Sequence, residues 1–302
     1  MKFFINTALT LVILLSFNAC EYDLLSDNNE VTLEEISNLD DGVGETSGLE
    51  IIDGRVYTHN DGGGLAALYE IDINTGDILR TIAIDGATNV DWEGLGSDEN
   101  YLYIADIGNN LGSRDDLKIY KVLKTEISNS DTASAQVISF SYPDQTLFSY
   151  ANYTTPYDAE AIIVYDGSIY IFTKNWDDYT TQVYAIPTDE GEYNATFVAQ
   201  RTFDVMITDA DINTQTGEIA LVGYENHTYT NSPKNNIIIL SGFEQDNFFS
   251  GDVEEYETQS MTTFQVEAIV FHTDSELYLS SESLNYSIFD RPAKFYRLEL
   301  DN

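Results

Sequence analysis

Cysteine is almost missing from the chain: Cys20 stands alone among 302 residues. No internal disulfide can form, and a cysteine-rich zinc site is excluded. Histidine is nearly as scarce, with only His59, His227 and His272, dispersed too widely for a histidine-ligated metal. Basic residues are few as well. Lys plus Arg is 13 against 52 Asp plus Glu, a formal net charge of −39. Such a surface repels phosphate backbones and anionic lipid, so no nucleic-acid partner is expected. The chain also lacks a Walker motif, a G-x-S-x-G elbow and a dinucleotide fingerprint. The "GGG" at 62–64 alone does not make a phosphate loop.

One apolar stretch stands out, at the N-terminus. Met1-Lys2 is followed by "FFINTALTLVILLSFNAC", too short to span a bilayer comfortably and suited to a secretion signal. A lone cysteine closing such a segment resembles the lipobox of bacterial lipoproteins, although Phe17 stands where the lipobox carries Leu, and Leu15 is displaced. The resemblance implies a signal peptide over 1–19, lipidation at Cys20, an acidic tether over 20–30 and a folded domain over 31–302. An ordinary signal peptide cut nearby is the alternative. Either way the protein is expected to be exported. The lipid-anchored form belongs at the outer membrane or cell surface, or facing the periplasm, and meets the membrane through its anchor only.

Hydrophobic residues make up 43 % and aromatics 13 %, mostly Tyr and Phe, with abundant Val, Ile and Thr. That composition predicts an all-β domain with a sizeable core. An internal repeat then organises it. "ETSGL" at 45, "DWEGL" at 91, "DAEAI" at 158, "TDAD" at 208 and "VEAIV" at 266 each precede a short turn and a second strand: "VYTHND", "LYIADIG", "IYIFTKN", "IALVGYE" and "LYLSSES". A third strand follows in every unit, and a fourth in the first four. Units of four strands predict a β-propeller, five blades by this count, rather than a sandwich. The long span from 93 to 160 leaves room for a sixth. "EVTLEEISNL", ahead of the first unit, is expected to close the ring as the missing outer strand.

The recurring carboxylates need an explanation, because charge on a buried strand is costly unless paired or bound to metal. Aligned on the innermost strands, Ser47, Glu93, Glu160, Asp209 and Glu267 converge on one mouth of the channel. Four acids so close repel one another, and a hard cation relieves that repulsion. Ca²⁺ fits oxygen-only ligands best, with Mg²⁺ second. Solvated channel acids would give the same pattern. Asp91 is expected to accept hydrogen bonds behind the metal or to cap the strand, and Trp92 to pack between blades.

The spacing resembles that of calcium-activated nucleotidases, five-bladed propellers with a central Ca²⁺ held by Ser and Glu from successive blades. Ser47, Glu93, Glu160 and Glu267 match that order, whereas Asp209 stands where the family carries Ser; the family's nucleotide-handling motifs are not evident. Over most of 31–302, "ETSGL", "THNDGGG", "DWEGLG", "LYIADIGNN" and "LKIYKV" resemble the SdiA-regulated and phytase-like esterase group of secreted bacterial propellers. That second resemblance implies the fold and little chemistry.

Loops joining second and third strands are long and polar, so the face they form is the expected functional face. His59 and Asp61 are candidates for acid–base work, with Asp91 and Asp158 as further bases; a simple turn at 61–64 is the alternative. Asp106, Asn109 and Asn110 suit ligand contacts or turns. Arg114, Lys174 and Arg291 suit an anionic ligand or pairing with nearby acids, and Trp176 suits stacking or loop packing. Two functions follow. One is a monomeric module that binds a small molecule, glycan or protein, with Ca²⁺ in its channel. The other is a Ca²⁺-dependent phosphoesterase or esterase using the same face. A glycosidase using paired acids is a third option.

Overall fold

The computed structural model describes residues 29–150, 153–225, 235–258, 265–286 and 289–300; the signal segment 1–19, Cys20 and His227 lie outside them. Two short strands come first, β1 (Asn29–Val31) and β2 (Glu34–Asn38). Four antiparallel strands follow in sequence: β3 (Thr46–Ile52), β4 (Arg55–Asn60), β5 (Ala67–Ile71) and β6 (Ile78–Asp85). A second group comprises β7 (Trp92–Ser97), β8 (Tyr101–Asp106), β9 (Lys118–Leu123) and β10 (Thr132–Ser141), with helix α1 (Lys124–Asn129) before its last strand. The third group begins with β11 (Ala159–Tyr165), β12 (Ser168–Thr173) and β13 (Thr180–Pro187). The chain then leaves as β14 (Gly191–Asn194), parallel to β10, and returns as β15 (Thr196–Thr202).

The fourth group is β16 (Met206–Asn213), β17 (Glu218–Tyr224), β18 (Asn235–Ser241) and β19 (Asp252–Thr258). The fifth is β20 (Val266–Phe271) and β21 (Glu276–Ser281). A small hairpin, β22 (Leu284–Tyr286) with β23 (Phe289–Arg291), then leads into β24 (Lys294–Glu299). β2 pairs with the outer edge of β24. The segment expected to form one closing strand is therefore split, since β1 runs parallel to β19 of the neighbouring group.

The innermost strands touch in a cycle: β3 with β7, β7 with β11, β11 with β16, β16 with β20, and β20 with β3. The apolar core follows the same cycle, one cluster between each adjacent pair of sheets. Trp92, Tyr57 and Leu102 lie between the first and second, and Tyr184, Ile162 and Ile119 between the second and third. Phe248, Phe172 and Leu221 fill the next gap, Tyr296, Leu279 and Ile237 the one after, and Phe295, Val43 and Leu49 the gap that closes the circle. Strand faces buried on both sides are why the sequence reads as near-continuous apolar runs at "IALVG" and "IYIF". This is the architecture of a β-propeller.

Gly76 anchors the segment that follows β2. Its carbonyl accepts the Asp40 N–H at 2.9 Å, its φ is +76°, and a Cβ there would sit 1.8 Å from the Asn38 carbonyl oxygen. Gly76→Ala is expected to lower stability by at least about 1 kcal/mol. A urea midpoint equal to that of the parent protein would refute this anchoring role.

Candidate metal centre at the channel mouth

Each innermost strand carries a register shift against its neighbour, between Thr46 and Gly48, Trp92 and Leu95, Ala159 and Ala161, Ile207 and Asp209, and Val266 and Ala268. A bulge of this kind leaves one residue unpaired and re-aims its side chain. Ser47, Glu93, Glu160 and Glu267 all sit in these bulges. The fourth equivalent is Thr208, not Asp209. Thr208 brings a hydroxyl to that position and donates it to the Val266 carbonyl at 2.8 Å. Asp209 lies one residue further along β16, where it accepts the Ile269 N–H at 2.9 Å and has Asp211 and Glu50 as its charged neighbours.

The bulge residues form a linked, buried row. Ser47 Oγ donates to Glu93 Oε2 at 3.1 Å, Glu93 and Glu160 share a side-chain hydrogen bond, and Glu160 Oε1 lies 3.2 Å from Lys174 Nζ. Lys174 is 4 % exposed and also donates to Tyr224 Oη at 3.2 Å; its ammonium stands 4.8 Å from the Trp176 ring. Glu267 shares this neighbourhood through Tyr224 and Lys174. Burial pushes Glu160 up to about 8 against the pull of Lys174, and burial with Glu160, Asp61 and Asp91 nearby holds Glu93 well above the usual carboxylate range.

A compact trio stands beside this row. Asp61, Asp91 and Glu93 each offer an oxygen within 4.8 Å of the others. Asp91 is thus part of the cluster rather than behind it, and burial followed by Asp61 and Asp158 pushes it up to about 7. The loops approach closely here because glycines permit it. A Cβ on Gly108 would lie 2.2 Å from Glu93 Oε1 and 2.4 Å from Asp91 Oδ2, and one on Gly62 would lie 2.5 Å from Asp91 Oδ1. Oxygens bound around Ca²⁺ at 2.3–2.6 Å are at most about 5 Å apart, so this trio has the spacing for a hard cation.

Of the other expected site residues, His59, Asp106, Arg114 and Asp158 lie close enough to act on the charges of the trio. His59 is fully buried, edge-on to Trp92, with Nδ1 3.0 Å from the Asn60 carbonyl and Nε2 lacking a hydrogen-bond partner among the described residues; burial lowers its basicity. Asp158 accepts from Asn109 N–H at 2.7 Å and Trp176 Nε1 at 2.9 Å. Asp106 is held by Arg114 at 2.8 Å, while its Oδ2 is buried without a hydrogen-bond partner among the described residues. Arg114 also donates to Asp116 and to the Gly108 carbonyl, so it fastens the loop carrying Gly108. Asn110 accepts the Tyr153 N–H, and Tyr153 packs on Trp176 with ring centres 4.5 Å apart. Arg291 lies on β23, in register with Leu284 of β22.

The sequence reading missed Glu282, whose carboxyl stands among Glu267, Asp61 and Lys174. A signal existed: Asp61, Lys174 and Glu282 are each the first residue after the second strand of their unit. Asp61 and Lys174 both act on the charge of Glu282, alongside the bulge residues Glu267 and Glu160.

No protein-family model matches the chain, and no curated protein matches it in sequence. Among solved structures it is similar to the PQQ-bound aldose sugar dehydrogenase of Streptomyces coelicolor, at 11 % identity and a TM-score of 0.50, over 89 % of this chain and 98 % of that one. It also matches an alpha-L-arabinofuranosidase from Clostridium thermocellum, at 10 % identity and a TM-score of 0.47, over 85 % and 90 %. The first likeness agrees with the sheet topology in giving a β-propeller fold.

Proposed function

We propose that the chain is a five-bladed propeller, closed by its N-terminal strand, that binds a ligand or partner at a metal-bearing channel mouth. The observation that carries this reading is the Asp61–Asp91–Glu93 trio, whose three oxygens lie within 4.8 Å of one another. Ca²⁺ is the proposed ion, ahead of Mg²⁺, because the ligands are all oxygen and the charge is high. Ser47 and Glu160 support Glu93 from behind. Export and lipidation at Cys20 belong to the same proposal, resting on the N-terminal sequence alone, and so does a monomeric state.

The test is a Ca²⁺ titration of the purified protein, followed by thermal melting. At about one hundred times the dissociation constant the melting temperature is expected to rise by roughly 5–10 °C. Glu93→Gln and Asp61→Asn are expected to abolish the rise, and Glu267→Gln to leave it. Loss of the rise in Glu267→Gln would instead place the ion on the channel axis. No rise with Ca²⁺ or Mg²⁺ would overturn the metal reading. Hydrolysis of a phosphoester or aryl ester that requires Glu93 would make the protein an esterase.

A further inference from the structure

A second cavity lies at the other end of the channel, on the face formed by the tight turns between first and second strands. It holds about 960 Å³, and every blade contributes to its wall. Its carboxylates come from all five: Glu50, Asp98 with Glu99, Asp166, Asp211 and Asp274. Lys124 opposes them, 2.8 Å from Ser97 Oγ, and His272 at the rim is stacked on Tyr278. Glu50 is 7 % exposed, so its charge is largely enclosed.

The floor has its own signature. Asp209 and Asp211 are two apart on β16 and so share a face, with Asp211 in the cavity wall and Asp209 one step deeper. Each uses one oxygen to bridge to the next blade, at Ile269 N–H and Phe271 N–H. That bridge accounts for one oxygen of each. The second oxygen of Asp209, a residue 1 % exposed, is buried without a hydrogen-bond partner among the described residues. A buried, unpaired carboxylate oxygen beneath an acid-lined cavity calls for a donor that the described residues do not supply.

Size and spacing define the class of that donor. Among the described residues, only Asp61, Asp91 and Glu93 bring three acidic ligand atoms within 4.8 Å, so the acids here are too spread for one ion. A volume of this size takes an organic molecule rather than a bare cation. We propose that this cavity binds an organic polycation, an aliphatic di- or polyamine whose ammonium groups reach Glu50 and Asp211 together. The wall residues supply separated acceptors, and the aliphatic spacers of such a ligand suit Val164, Ile212 and Val270 between them.

The experiment is isothermal titration of the full protein with spermidine at physiological salt, in saturating Ca²⁺ so that the trio at the opposite mouth is filled. Saturable binding of one spermidine per chain is expected. Glu50→Gln and Asp211→Asn should each weaken it about tenfold or more, as loss of a charge-assisted contact does. Lys124→Gln should tighten it, and Glu192→Gln, an exposed acid on β14, should leave it unchanged. Each variant is first checked for a native melt, and Glu50→Gln decides the matter if Asp211→Asn does not fold. Weak, multiple-site binding that Glu50→Gln leaves unaltered would overturn the proposal, showing only attraction to a chain of net charge −39. Loss of binding on adding Ca²⁺ would overturn it too, placing the amine at the carboxylate trio. Neither result bears on whether Ca²⁺ raises the melting temperature.

Discussion

Replacing Lys174 with methionine is expected to cost about 3–5 kcal/mol at pH 8 and far less at pH 5. Methionine keeps most of the apolar stem beside Trp176 and Tyr224, so the charge is what changes. The ammonium is the cation nearest Glu160 and also acts on Glu267 and Asp158, all three buried. Without it these groups are enclosed negative charges with no counter-ion, the costly half of a broken buried pair. At pH 5 Glu160, raised by burial to about 8, is protonated in the folded protein, and less charge is stranded. Urea denaturation at the two pH values separates the contributions. An equal loss at both would mean that the Lys174 stem, not its charge, holds the mouth together. The same variant should bind Ca²⁺ more tightly, since Glu93 and Glu160 share a hydrogen bond and the lysine competes for that pair.

The blade grammar was legible in the sequence because a propeller repeats one local pattern, and the repeat survives even where spacing varies. The strands following Ser47, Glu93, Glu160 and Glu267 fall where the repeat puts them. The fourth position was misread for a physical reason. "TDAD" offers Asp209 to the alignment, but the bulge falls one residue earlier, at Thr208. Bulge position depends on pairing with the neighbouring strand, which a single strand's sequence does not record. The Asp61–Asp91–Glu93 trio was hidden for a related reason. Its members come from a loop after a second strand, a residue before a first strand and a bulge. Their meeting depends on Gly62 and Gly108 lying against the carboxylates, which composition cannot show. The amine-sized cavity was invisible because its turns looked minimal, whereas its wall joins those turns to the channel-facing ends of the innermost strands.

Raising the pH from about 5 to about 8 is expected to lower the melting temperature of the metal-free protein steadily. Asp91 and Glu50 are raised to about 7 and Glu160 to about 8, all by burial first, whereas unfolded carboxyls titrate near 4. Between those values the folded chain holds more protons than the unfolded chain, so stability falls as pH rises. The stabilisation is fully present below about pH 4 and is lost through the folded values near 7 and 8. Repulsion among surface acids acts in the same direction, but those groups are ionised by about pH 6 and their effect is screened by salt. The decline from pH 6 to 8 in about 0.5 M KCl therefore belongs to the buried carboxyls. Ca²⁺ should flatten part of it, because a cation at Asp61, Asp91 and Glu93 replaces the protons that otherwise neutralise the trio. The portion arising from Glu50 should persist in Ca²⁺ and disappear in Glu50→Gln. A melting temperature constant from pH 6 to 8 without metal would mean that the channel acids are solvated and that neither mouth stores charge.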